Sequence, residues 1–234
     1  MSKPFRHLDT LTGFFVAVLL ISNVASTKIL DFGWFTFDGG TLLFPLSYIF
    51  GDILTEVYGF SRSRKVIWLG FAGAALMSAT LALVSSLPPA QGWHHQEAFE
   101  AILGTTPRIV AGSLAAYWSG EFLNSYVLAK LKVLTKGKWL WTRTIGSTLA
   151  GEALDTAVFA VIAFAGVLET PLLVTLIVSN YVFKCGVEIV FTPATYAVVR
   201  WLKNVEGTDW YDRGTDFNPF SFADPPHTGE KSPD

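Results

Sequence analysis

The sequence predicts an all-α polytopic membrane protein of six transmembrane helices, on three observations: a shortage of charge, six long apolar runs, and basic residues gathered in alternate turns. Of 234 residues only 17 are Lys or Arg and 19 are Asp or Glu, so 15% is charged while 51% is hydrophobic. A soluble domain carries about 25% charged residues at a similar apolar fraction. The roughly 119 apolar residues are about what six spans of roughly 20 residues need. A net charge of −2 leaves no basic face for a nucleic acid. The single cysteine, Cys185, excludes an intrachain disulfide, a redox pair and a thiolate cage for zinc. No cofactor is expected.

The apolar runs cover residues 11–30, 40–59, 66–87, 108–130, 145–167 and 171–200, giving a membrane domain over 1–204 and a tail over 205–234. Lys3 and Arg6 before the first run imitate a secretory signal, with Val24-Ala25-Ser26 as a cleavage site, yet five further spans favour an uncleaved helix. Pro45 in the second span allows a kink. Between spans three and four, residues 88–107 contain Phe99, Ile102 and Leu103 on one helical face and Glu97 and Glu100 on another, which fits a short helix in the outer interface. His94 and His95 nearby are adjacent, so they point apart and make no metal site. The sixth span is long, includes Gly186 and Pro193, and is expected to kink, tilt or break near Lys184. In the tail, Trp210, Tyr211, Phe217, Phe220 and Phe222 suggest that the first half docks, while the last dozen residues have the composition of a disordered end.

Basic residues in short loops stay on the cytoplasmic side. Lys3 and Arg6 precede span one. Arg62, Arg64 and Lys65 follow span two; Lys130, Lys132, Lys136, Lys138 and Arg143 fill the turn between spans four and five; Arg200 and Lys203 close span six. The opposite side has only Lys28 and Arg108. Both termini are therefore expected in the cytoplasm.

Seven ionisable residues then fall near mid-depth: Asp52 and Glu56 in span two, Glu121 in span four, Glu152 and Asp155 in span five, Lys184 and Glu188 in span six. At about 2.5–3.5 kcal/mol each, seven facing lipid would cost on the order of 20 kcal/mol. Residues four apart share a helix face, so Tyr48, Asp52 and Glu56 form one stripe and Tyr117, Glu121 and Ser125 another, with Asn124 beside it. Thr148, Glu152 and Thr156 form a third beside Asp155, and Asn180, Lys184 and Glu188 a fourth. Four polar stripes on apolar helices imply one shared cavity. Polar glue between helices is the competing explanation, but six acids against one lysine carry a net charge that packing does not need; a proton, a cation or a substrate has to balance it.

Gly51-Asp52-Ile53-Leu54, Gly120-Glu121-Phe122-Leu123 and Gly151-Glu152-Ala153-Leu154 share the pattern G-[DE]-x-L. Spans two and five hold the same place in a three-plus-three inverted repeat of the kind transporters use, with chance recurrence of Gly and Leu as the rival.

Several motifs, in order and at matching depth, carry a resemblance. They are Asn23-Val24-Ala25-Ser26-Thr27-Lys28, the run Pro45-x-x-Tyr48-x-x-x-Asp52-x-x-x-Glu56-x-Tyr58-Gly59, Pro107-Arg108, Arg143-x-x-x-Ser147-Thr148 leading to Asp155-Thr156, and Tyr211-Asp212-x-x-Thr215-x-Phe217-Asn218-Pro219-Phe220. Together they resemble the queuosine-precursor transporters of the vitamin uptake transporter group, over nearly the whole chain. The resemblance implies import of 7-cyano-7-deazaguanine and 7-aminomethyl-7-deazaguanine across the bacterial inner membrane by a six-span protein that is not an enzyme. Glu121 and Asn124 stand where relatives are expected to have Gln and Asp, a shift of charge by one turn.

The cavity suits such a solute. A guanine-like edge offers two adjacent donors to a carboxylate, while Asn or Lys donates to its carbonyl. Tyr48, Tyr117 or Phe183 is placed to stack on the base. The substrate-binding set is therefore Asn23, Tyr48, Asp52, Glu56, Glu121, Asn124, Glu152, Asp155, Asn180, Lys184 and Glu188, with Glu152 or Asp155 reading the base edge and Asp52 or Glu56 near the aminomethyl cation or a coupling proton. Two rivals stand beside this: a substrate-capture subunit energised by a separate ATPase, since the chain has no Walker motif, and a membrane enzyme, disfavoured because HExxH and GxGD are absent. Proton coupling, facilitated diffusion and pairing with a second copy all stay open.

Overall fold

The computed structural model describes residues 5–25, 28–31, 36–103, 107–166 and 169–221. Among them seven α-helices follow in order: α1 Leu8–Ala25, α2 Phe44–Tyr58, α3 Phe60–Ser86, α4 Gln96–Leu103, α5 Pro107–Leu134, α6 Leu140–Phe164 and α7 Thr170–Glu206. Local chemistry sets several of the boundaries. Pro45 in the first turn of α2 needs no hydrogen bond from its missing N–H. Gly207 ends α7 in the left-handed conformation at φ 64°.

The fold is helical as expected, with one small addition: β1 Ile29–Asp31 and β2 Thr36–Asp38 pair antiparallel, Ile29 opposite Asp38, and a 3-10 turn Gly39–Leu42 follows. The first span therefore ends at Ala25, not at residue 30: Leu30 continues the apolar run but pairs as a strand. Of the kink, tilt or break expected in the last span, the break does not occur: α7 is continuous over 37 residues with Pro193 inside it.

Four helical segments are long and apolar enough to cross a membrane: Leu8–Ala25, Phe60–Ser86, Leu140–Ile162 and Leu173–Glu206. α5 is long enough but lies outside that apolar set. α2 has 15 residues, a length of roughly 22 Å against a hydrocarbon core of about 30 Å. Its place explains its composition. Twelve of its residues, Asp52 and Glu56 among them, are buried, so it is wrapped by other helices. The apolar core joins Phe15 and Leu19 of α1 to Ile53, Leu54 and Val57 of α2, Ile67 of α3, Phe122 of α5 and Leu202 of α7. The outer faces expose Leu69, Leu76 and Leu83 of α3 and Val178, Val182 and Val190 of α7.

One end of the bundle gathers both ends of the described chain. Glu206 accepts hydrogen bonds from the amides of Arg6 (3.0 Å) and His7 (2.8 Å) and from the Tyr58 hydroxyl (3.0 Å). A strap, residues 207–221, then crosses this end. The Phe60 amide at the start of α3 donates to both Asp212 oxygens (3.1 and 3.0 Å), Arg64 donates to the carbonyls of Asp216 and Asn218, and the Trp68 indole donates to the Pro219 carbonyl (2.8 Å). Phe217 packs on Phe60 and Tyr126, and Phe220 on Trp68 and Trp118. Burial pushes the Asp212 carboxyl above its ordinary value while the Phe60 amide pulls it back. The strap docks as its aromatic content predicts. Phe222 and the last dozen residues lie outside the described residues, as do Ser26, Thr27 and the side chains of Pro107 and Arg108. At the opposite end α4 leans on α3, with Gln96 donating to the Ser85 carbonyl (3.0 Å), Phe99 and Leu103 half-buried and Ile102 exposed.

Candidate functional site

The seven internal charges separate into two groups. Glu56 belongs to the end that carries the strap. Arg143 donates through both terminal nitrogens to its carboxylate, one oxygen each, the second at 3.1 Å. Lys203 lies 2.7 Å and Lys132 3.5 Å from Glu56 Oε1. Asp209 of the strap completes the network, 2.6 Å from Lys132 and 2.8 Å from Lys203. Burial raises the Asp209 carboxyl, but the two lysines outweigh it and hold it below the usual carboxylate range. Three cations surround two carboxylates, and Arg143, Lys132 and Glu56 are all buried.

One turn along α2, about 6 Å, the surroundings change. Asp52 Oδ1 accepts from the Asn124 amide at 2.8 Å, and Asp52 Oδ2 has no partner. Lys184 of α7 reaches α6, 2.5 Å from Asp155 Oδ2 and 3.0 Å from Glu152 Oε2. Neither oxygen of Glu121 or of Glu188 meets a hydrogen-bond partner, and the same holds for Asp155 Oδ1 and the hydroxyls of Tyr48, Tyr117, Thr148 and Thr156. Buried polar atoms are ordinarily paired, so this concentration marks a place built for something else.

Glycines let these residues meet. A methyl group on Gly120 would lie 2.6 Å from Asp155 Cβ, 2.5 Å from the Tyr48 hydroxyl and 2.9 Å from the Gly151 carbonyl; one on Gly151 would lie 2.8 Å from the Gly120 carbonyl. The Glu121 carboxylate occupies the space beside Gly51. The glycines of the G-[DE]-x-L pattern are thus the points where α2, α5 and α6 touch, which brings the acid after each into one layer.

Above that layer, toward the end opposite the strap, lies a pocket. It is lined by residues from α1, α2, α3, α5, α6 and α7, including the expected Asn23, Asp155, Asn180 and Lys184. Asn23 also donates to its own helix at Leu19 (2.9 Å). Tyr48, Asp52, Glu121, Asn124, Glu152 and Glu188 do not line it; they form the buried layer beneath, while Glu56 stands apart in the ionic network. Tyr117 and Phe44 also line the pocket. The Phe44 ring lies 4.8 Å from the Lys184 ammonium and 6.0 Å from the Tyr48 ring, and it meets the Tyr117 ring edge-on at 6.2 Å. Sequence reasoning missed Phe44, although Pro45 marks a helix start and so places its neighbour at a pocket mouth.

Apolar helices around a buried, underpartnered polar pocket define a membrane transport protein. The family model described as "Putative vitamin uptake transporter" matches residues 38–198, and the chain belongs to that family. It is similar to a "Probable queuosine precursor transporter" of Bacillus subtilis (strain 168), 28% identical over 79% of this chain and 81% of the relative. It also resembles the "Queuosine precursor transporter" of Escherichia coli (strain K12), 26% identical over 85% of this chain and 88% of the relative. A protein of Haemophilus influenzae named "Probable queuosine precursor transporter" is 29% identical over 68% of this chain and 67% of the relative. No solved structure matches the chain.

Proposed function

We propose that this protein imports the queuosine precursors 7-cyano-7-deazaguanine and 7-aminomethyl-7-deazaguanine across the bacterial inner membrane for salvage into tRNA. In this reading α1, α2, α3, α5, α6 and α7 are the six spans, arranged as two inverted halves, and both termini are cytoplasmic. The meeting of Arg6 and His7 with Glu206 supports termini on one side. The basic residues of the strap end support the cytoplasm as that side. The short α4 then lies in the outer interface. The pocket faces outward, and the Glu56 network closes the inner end.

The observation that carries the reading is the unpartnered Asp155 Oδ1 beside Lys184 in the pocket wall. Asp155 accepts the ring N–H and exocyclic amine of the base, while Lys184 and Asn180 donate toward its carbonyl. Phe44 offers an aromatic face for the base. Glu152, held by the same lysine, keeps Lys184 in place.

The test is uptake of labelled 7-cyano-7-deazaguanine in a bacterial strain unable to synthesise it, with wild type, Asp155→Asn and Asn180→Ala. Import that falls at least tenfold for Asp155→Asn supports the site, and normal import by both variants rejects it. Purified protein in liposomes decides the mode. Transport by this chain alone fits the reading, whereas binding without transport points to a capture subunit that needs an external ATPase.

A further inference from the structure

Around the pocket floor α2 contributes Asp52, α5 Glu121, α6 Glu152 and Asp155, and α7 Lys184 and Glu188; the phenols Tyr48 and Tyr117 also face this layer. α1 and α3 meet it with Leu19, Ser22, Asn23 and Ala74. The one lysine is engaged with Glu152 and Asp155. Asp52 has the Asn124 amide. Glu121 and Glu188, with relative exposures of 0% and 2%, have no partner at either oxygen. The Ser125 hydroxyl, one turn from Glu121, accepts from Thr55 (3.1 Å) and lies 3.3 Å from the Ser63 hydroxyl.

A buried carboxylate without a counter-charge costs several kcal/mol. Two such groups in one protein need a positive charge each. Among the described residues no three acidic, histidine or cysteine side chains converge to hold a metal ion. A proton needs no further ligands, so a single buried carboxylate can take it. Their placement suits transit. The Glu121 carboxylate sits against Gly51, next to Asp52, and Glu188 lies one turn from Lys184 on the side away from the pocket, toward Thr192.

We propose that Glu121 and Glu188 are proton carriers, distinct from the Lys184–Asp155–Glu152 group that holds substrate, and that their protons enter with each molecule imported. The proposal rests on the transport reading and names its driving ion. A carboxyl that has taken a proton is neutral and gains a donor, so the layer can stay closed to water while the pocket above empties and refills.

The experiment uses the purified full chain in liposomes containing a pH-sensitive dye, with 7-cyano-7-deazaguanine as the probe because it carries no amine to move protons itself. The wild type is expected to acidify the interior when substrate is added outside. Per proton, it should accumulate substrate up to about tenfold under an inward gradient of one pH unit. Glu121→Gln and Glu188→Gln are expected to lose both responses, and Glu121→Asp and Glu188→Asp, which keep a carboxyl, to retain acidification. If a Gln variant does not fold, infrared spectroscopy of the wild type substitutes: a protonated-carboxyl C=O band at neutral pH that weakens in the folded variant supports the assignment, and its absence overturns it. Substrate uptake without proton entry, accumulation that follows a sodium gradient, or acidification that survives in both Gln variants overturns the proposal while leaving import intact. A wild type that neither binds nor moves the substrate instead overturns the transport reading.

Discussion

Glu56 and Glu121 are both buried glutamates on helices at the middle of the bundle, yet they live in opposite electrostatic worlds. Glu56 is held by Arg143, Lys203 and Lys132. Glu121 has no hydrogen-bond partner. The first arrangement is what a protein does when it needs a charge to stay put: every lone pair is used and the geometry is fixed. The second leaves both oxygens of its acid unspent, the arrangement expected of a working charge rather than a structural one.

The contrast can be broken most forcefully at Glu56. Glu56→Gln leaves Arg143 and Lys132 buried with half their counter-charge gone, and losing one partner of a buried pair costs about 3–5 kcal/mol. A large fall in melting temperature and in yield of monodisperse protein is expected. Wild-type behaviour would place Glu56 among the working acids. Next in size is Gly120→Ala, whose added methyl cannot fit between Asp155 and the Gly151 carbonyl without moving α6. The cost of such overpacking is about 1–3 kcal/mol. Uptake should fall more than stability, because Asp155 is displaced. Glu121→Gln supplies the opposite sign. It replaces a buried carboxyl that has no counter-charge with a neutral amide of the same shape, so its melting temperature should equal or exceed that of the wild type, and a fall as deep as that of Glu56→Gln would erase the distinction.

The smallest effect is at Asp209. Asp209→Asn loosens one corner of the network and should cost about 1 kcal/mol near pH 7. Because Lys132 and Lys203 hold the Asp209 carboxyl below its ordinary value, its contribution is present above the unfolded carboxylate range and is lost as pH falls through the folded value. The gap in melting temperature between wild type and Asp209→Asn should therefore close as pH drops below about 4. A gap that widens in acid would contradict the sign.

Much of the bundle was legible because bilayer chemistry is coarse. Long apolar runs and basic turns locate helices and ends whatever the tertiary detail. The hairpin 29–38 was not, since Ile29 and Leu30 extend an apolar run that a helix would use equally well. Part of the pocket wall follows a helix face: Asn180 and Lys184, four apart, line it together with Asp155 and Asn23, while Glu188 of the same stripe does not. Depth was harder. Asp52 and Glu56 share a face of α2, and spacing alone put both in the cavity. What separates them is Arg143 and Lys203, 87 and 147 residues further along the chain. Those same residues looked like orientation signals at the membrane edge. They are the counter-ions of a buried acid, a role that only three-dimensional proximity shows. Tyr48 is a similar case: its ring is fully buried at the Gly120–Gly151 crossing, and the pocket takes its aromatic face from Phe44.

The strap has a consequence for the order in which the protein is made. The amide that opens α3 waits for Asp212, a residue 152 positions later, and the counter-ions of Glu56 are complete only when Lys203 and Asp209 arrive. Until synthesis has passed residue 212, the corner of α2 and α3 at the strap end carries an uncapped helix start and a partly matched charge. Closure of that corner comes late, so a chain cut short before residue 209 is left unfinished there, and that loose corner is what proteases would find.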